Sequence, residues 1–150
     1  MQQVVNMIVA AEKIRLLDLA RIVKKVQFEK QWSTDRVLNV ERRYRNWLLL
    51  ISTLDDRGDV VPTLDIDEIW HAHILDTKAY ADDCQNVFGY FLHHVPSWNK
   101  IMPREAHDKT AAAYEKLFGE PFLPEGGHCV ATDCQGSPCT GHCWQGCKSR

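Results

Sequence analysis

Histidine, carboxylate and thiol side chains gather in two stretches of this chain, and they are the usual donors for Zn or Fe. The first stretch runs from Pro62 to Pro96 and holds four of the seven histidines: His71, His73, His93 and His94. Asp65, Asp67, Asp76 and Cys84 lie among them. The second is the C-terminal tail, with Cys129, Cys134, Cys139, Cys143 and Cys147 beside His128 and His142. Metal coordination is therefore the chemistry to test first. The spacings match no standard signature. Glu68-x-x-His71 resembles half of a di-iron carboxylate motif, but no second Glu-x-x-His falls on an expected helix. His-Glu-x-x-His, a nucleophile elbow, a P-loop and Gly-x-Gly-x-x-Gly are all absent as well.

Helical geometry divides the first cluster. At about 100° per residue, His71 and His73 point about 160° apart and cannot share one ion. Ile66, Trp70, Ile74, Thr77, Ala81, Cys84 and Phe88 mark one apolar face, with His73 near its middle. His71 faces the other way, towards Asp67 at i−4 and Lys78. His73 and Cys84 are thus expected to be buried on one face. The bland alternative is a hydrogen-bonded core histidine and a small apolar cysteine. His93 and His94 fall in a short connector between Gly89 and Pro96. Neighbouring side chains of an extended connector alternate, so one of the two is expected to turn towards His73 or Asp76.

These residues need elements to place them, and the apolar periodicity is helical throughout. It predicts one long helix from about Val4 to Phe28, then a second capped by Ser33 or Thr34 and carrying Val37, Val40, Tyr44, Trp47, Ile51 and Leu54. A third runs from Asp65 to Phe88, with Asp65 and Glu68 as a capping-box variant and Gly89 as its stop. Pro103 opens a fourth, striped by Ala111, Tyr114, Leu117 and Phe118 and closed by Gly119 and Pro121. The expected fold is all-α: a compact bundle of about four helices over residues 1–122, followed by an irregular Cys-rich tail over 123–150.

Whole-chain arithmetic agrees with a single soluble domain. One hundred and fifty residues suffice to bury about two-thirds of the unfolded surface. A net charge of −2 argues against nucleic acid as a partner. The charge-free stretch Met1 to Ala11 is too short for a membrane span and lacks the basic start of a signal peptide. The expectation is a cytoplasmic protein. Charge is uneven along the chain: ten basic residues face five acidic ones from Met1 to Leu50, and two face nine from Ile51 to Tyr90. Basic and acidic helices packed as neighbours would account for this.

The segment Asp65-Ile66-Asp67-Glu68-Ile69-Trp70-His71-Ala72-His73-Ile74-Leu75-Asp76-Thr77 is followed by Tyr80, Asp83-Cys84, Phe88-Gly89 and His93-His94-x-Pro96. Together they resemble the glycine-rich domain-containing protein-like family, across roughly Glu41 to Phe118. The Cys-rich ending resembles that of bacterial members. The resemblance implies no agreed activity, because the family has none. It does imply a site at the matching polar positions Asp67, His71, His73, Tyr80, Cys84, His93 and His94.

The tail has almost nothing apolar to bury, so a cross-link must order it or nothing does. Its cysteines could bind a soft metal, pair as disulfides, or remain reactive thiols on an unfolded segment. Gly126-Gly127 ahead of Cys, Ser and Thr also resembles the junction of a ribosomally made, modified peptide. Three functions follow: a transition-metal binder using the His/Asp cluster, the tail or both; a precursor whose helical body is read by modifying enzymes; and a metal-free module holding a protein partner through Trp32, Trp98 or the basic helices.

Overall fold

The structure is a computed structural model that describes residues 1–54, 60–95 and 104–123, leaving aside the side chains of Gln2 and Arg104. Every regular element among these residues is a helix: α1 (Gln2–Arg15), α2 (Ala20–Lys30), α3 (Thr34–Thr53), α4 (Leu64–Leu75), α5 (Thr77–Phe88) and α6 (Arg104–Phe118). The all-α expectation holds. The expected number of helices does not, because two predicted helices are each divided in two. Contacts along the chain separate two units, one of Met1–Asp55 with Asp65–His93 and one of Asp56–Leu64 with His94–Arg150.

In the first unit, α3 is the element on which α1 and α2 pack, and α1 also meets α5. Ser33 caps α3 as expected, its Oγ accepting the Arg36 amide at 3.2 Å. Val37, Val40, Tyr44, Trp47, Leu48 and Ile51 recur at three- and four-residue intervals and are all buried. That stripe is wide enough to serve partners on more than one side.

The predicted helix from Val4 to Phe28 breaks between Leu16 and Leu19. Apolar periodicity runs through the break, since Leu17 and Leu19 are both buried, and the one local mark of it is Asp18, whose Oδ1 accepts the Ala20 amide at 3.2 Å. The cause is a tertiary partner. Arg45 of α3 donates from Nη1 to the carbonyls of Ile14 and Arg15 and from Nη2 to that of Leu17 at 3.1 Å. Those carbonyls are the ones a helix end leaves unsatisfied, and a guanidinium there also suits the negative end of the helix dipole. Glu41 holds Arg45 in place at 2.7 Å.

The predicted helix from Asp65 to Phe88 breaks at Asp76, whose φ of −82° and ψ of 68° are not helical. Its amide bonds to the His73 carbonyl at 3.1 Å, and its carboxylate pairs with Arg21 of α2 at 2.8 Å instead of capping α5. Asp65 and Glu68 do not form the expected capping box either. Asp65 lies in the first turn of α4 and pairs with the buried Arg43 at 2.6 Å, while Glu68 pairs with Lys30 at 2.7 Å. Their carboxylates tie α4 to α3 and α2. Gly89 does end α5, with φ of 73° and its amide on the Gln85 carbonyl at 3.0 Å.

In the second unit, Tyr114 and Phe122 are both fully buried with rings 5.1 Å apart. Phe118 lies against Tyr114 at 4.7 Å, and Gly119 turns the chain at φ of 67° to bring Phe122 back. Thr110 Oγ1 donates to the Ala106 carbonyl at 2.8 Å and accepts the Val61 amide at 3.1 Å. The segment before α4 is thereby fastened to α6.

Candidate metal site and a buried histidine network

The break at Asp76 decides what α4 and α5 can build. In an unbroken helix, residues ten apart would lie about 15 Å apart along the axis. Here two such pairs touch. Trp70 Nε1 donates to the Tyr80 hydroxyl at 2.8 Å, and His73 Nε2 lies 3.0 Å from Asp83 Oδ2.

His73 is buried, as expected, and both of its ring nitrogens are engaged. Nδ1 lies 2.9 Å from the Tyr44 hydroxyl of α3. A carboxylate only accepts, so Nε2–H donates to Asp83 and the Tyr44 O–H donates to Nδ1. This fixes one neutral tautomer. Burial holds His73 below the ordinary imidazole range, against the opposing pull of the Asp83 and Asp76 carboxylates. Burial likewise raises Tyr44 well above the usual phenol value. In this arrangement His73 has no lone pair left for an ion, so metal binding there requires displacing Tyr44 or Asp83.

Cys84 is buried on the α5 side of the same core, beside the Tyr80 hydroxyl and the Leu92 backbone, and burial pushes its thiol pKa up. Tyr80 donates to the Leu92 carbonyl at 2.6 Å, pinning the connector after Gly89. Among the described residues, neither His73 nor Cys84 belongs to a group of three or more converging metal donors. The bland reading describes the inner face of α4 well: it is a satisfied polar network within a core.

The outer face differs. His71 Nε2 lies 3.3 Å from Asp67 Oδ2, an i,i+4 pair with His71 half-exposed. The expected separation of His71 from His73 is therefore seen, and it leaves a carboxylate and an imidazole together on one accessible stripe. His93 is exposed, with its ring 4.8 Å from that of Phe91, which in turn lies edge-on to Tyr80 at 5.2 Å. His73 finds Tyr44 and Asp83 where the connector histidines were expected. His94 falls in the second unit. The tail candidates His128, Cys129, Cys134, Cys139, His142, Cys143 and Cys147, with the Gly126-Gly127 junction, lie outside the described residues, as does Trp98.

Sequence reasoning placed Tyr44 only as a core residue and gave Asp83 no role. It also passed over His107, buried in the second unit against Phe122, whose Nε2 has no hydrogen-bond partner among the described residues.

A family model, UCP032817-like, matches residues 13–115. The chain belongs to the UCP032817-like family. It is also 31% identical, over an alignment of 131 positions that covers 78% of this chain, to glycine-rich domain-containing protein 1 of Arabidopsis thaliana, and equally so to glycine-rich domain-containing protein 2 of that plant. The family resemblance read from the Asp65 to Pro96 motif is thereby borne out. The chain spans only 16% and 17% of those two relatives. No solved structure matches it significantly. The segment shared with the UCP032817-like family takes in Tyr44, Asp67, His71, His73, Asp83, Cys84, His93 and His94, and leaves out both the tail cysteines and most of α1.

Proposed function

We propose that this helical domain binds a divalent transition metal, Zn or Fe(II), on the accessible face of α4, with Asp67 and His71 as its anchoring ligands. The supporting observation is the pairing of one imidazole and one carboxylate at i,i+4 on a rigid helix, 3.3 Å apart. That spacing lets two donors reach one ion without bending the backbone. Imidazole with carboxylate is a borderline donor set that favours Zn or Fe over Ca or Mg. Two ligands do not complete a site. His93, His94 and the tail histidines and cysteines are the further donors by residue type, and substitution tests each of them. In this reading His73 is the support behind the site: it locks α4 to α3 and α5 and so holds Asp67 and His71 steady. Among the described residues no helix is long and apolar enough to cross a membrane, and the proposed setting is the cytoplasm.

Cobalt(II) titration of the full chain tests the proposal, because thiolate ligands add a near-ultraviolet charge-transfer band that imidazole and carboxylate do not. We expect d–d absorption that weakens at least tenfold in affinity in Asp67→Ala and His71→Ala, while both variants melt like the parent without metal. Equal affinity in the parent and both variants would sink the α4 site. A charge-transfer band with no response to either substitution would place the ion on the tail thiols instead.

A further inference from the structure

The N-terminal helix carries apolar residues on both of its sides, and only one side is used. Ala10, Ile14 and Leu17 are buried. On the opposite arc, Val4, Val5, Ile8 and Val9 are 56%, 50%, 61% and 48% exposed, with the fully exposed Met1 at the N-cap on the same side. At about 100° per residue these side chains fall within one face of α1. Scattered exposed valines need no explanation, but a continuous stripe does. Its first three turns also precede the family segment, which begins at residue 13.

We infer that the stripe pairs with the same stripe of a second copy, as two antiparallel α1 helices related by a twofold axis. Charge points to this occupant. Residues 1–11 contain no Lys, Arg, Asp or Glu, so the face offers nothing to a charged peptide. It also lacks the cations by which interfacial helices hold anionic lipid. The Cys-rich tail of the same chain is a poor match, with Val130, Ala131 and Trp144 as its few apolar residues after Gly127. Self-pairing meets no such obstacle. With the axis between Asn6 and Met7, Val4 lies across from Val9 and Val5 across from Ile8, and no like charges oppose each other in the seam.

Area sets the strength. The exposed stripe amounts to roughly 400–500 Å² of apolar surface, so two copies bury on the order of 1,000 Å², the low end of specific interfaces. The dimer is therefore weak and concentration-dependent. Twofold dimers are the commonest soluble assemblies, and their interfaces use the same patch twice, as this one does.

Sedimentation velocity of the full chain under reducing conditions tests the inference, the reductant preventing cross-links through the tail. Between low and high micromolar concentration the parent should pass from monomer to dimer. Val5→Glu and Ile8→Glu should each weaken that association at least tenfold, with helicity and melting unchanged because both side chains are already in solvent. Ile8→Leu should keep the dimer. A parent that stays monomeric throughout overturns the proposal, and so does a dimer indifferent to both glutamates. Co-flotation of the monomer with zwitterionic vesicles, lost in Ile8→Glu, would also overturn it in favour of a lipid surface.

Discussion

The hydroxyl of Tyr44 and the ring of His73 are both buried, and each satisfies the other. Tyr44→Phe keeps the ring stack on Trp47 at 6.1 Å but leaves Nδ1 without a donor. An unmet buried acceptor costs about 1–3 kcal/mol, and urea unfolding should read a loss of that size. The same histidine makes stability depend on pH. Burial lowers its folded pKa, whereas the unfolded chain takes up a proton near about 6.5. The unfolded state therefore binds more protons between those two values. The contribution of neutral His73 is complete above about pH 7 and declines as pH falls below about 6.5. Urea midpoints measured across that range should fall on acidification in the parent and fall less steeply in His73→Gln. An unchanged slope would mean that His73 does not titrate on folding. His73 itself was legible as a core position from the apolar face of α4. Its partners were not, because periodicity says which side of a helix is buried but not what lies opposite.

Helices were legible and their breaks were not. Sequence periodicity detects an apolar stripe, and the stripe runs on through Leu17 and Leu19 while the backbone does not; past Asp76 the expected face itself fails, since Thr77 and Ala81 are exposed. In both places the break is stabilised from elsewhere in the chain: Arg45 supplies donors to the end of α1, and Arg21 engages the carboxylate of Asp76. Arg45→Met retains much of the apolar stem but removes the guanidinium donors to the carbonyls of Ile14, Arg15 and Leu17, of which Ile14 keeps only the Leu17 amide. It should cost about 1–3 kcal/mol by chemical denaturation, far more than an exposed arginine is worth. Arg21→Ala removes an arginine whose side chain is 79% exposed and should change stability by less than about 1 kcal/mol. The end of α2 offers the reverse case. Gln31 closes it at φ of 53°, a conformation glycine adopts freely, and offsets part of the strain by donating from Nε2 to the Phe28 carbonyl at 2.6 Å. Gln31→Gly should raise the thermal midpoint, by about 0.5 kcal/mol of stability. By contrast, Ser33 and Gly89 act as expected, because a cap depends on neighbours only a few residues away.

Over the whole chain, the family segment spans residues 13–115 and stops short of the Cys-rich ending. Among the described residues, Phe122 is the last buried aromatic of the second unit, and it packs on Tyr114 and His107. A chain ended after Glu125 should therefore keep its helicity and melt cooperatively, as circular dichroism would show. Failure to fold would mean that the cysteines contribute to structure. The contacts that cross Asp76 have a further consequence, in the timing of proton loss. The single ring proton of His73 sits between a buried imidazole and Asp83, with the Tyr44 hydroxyl oriented by the same chain of donors. Water can replace it once the His73–Asp83 bond between α4 and α5 opens. That N–H is a resident clock for the opening of this corner of the molecule: its resonance should persist while other imidazole protons are lost to exchange, and its lifetime would measure how often that bond opens.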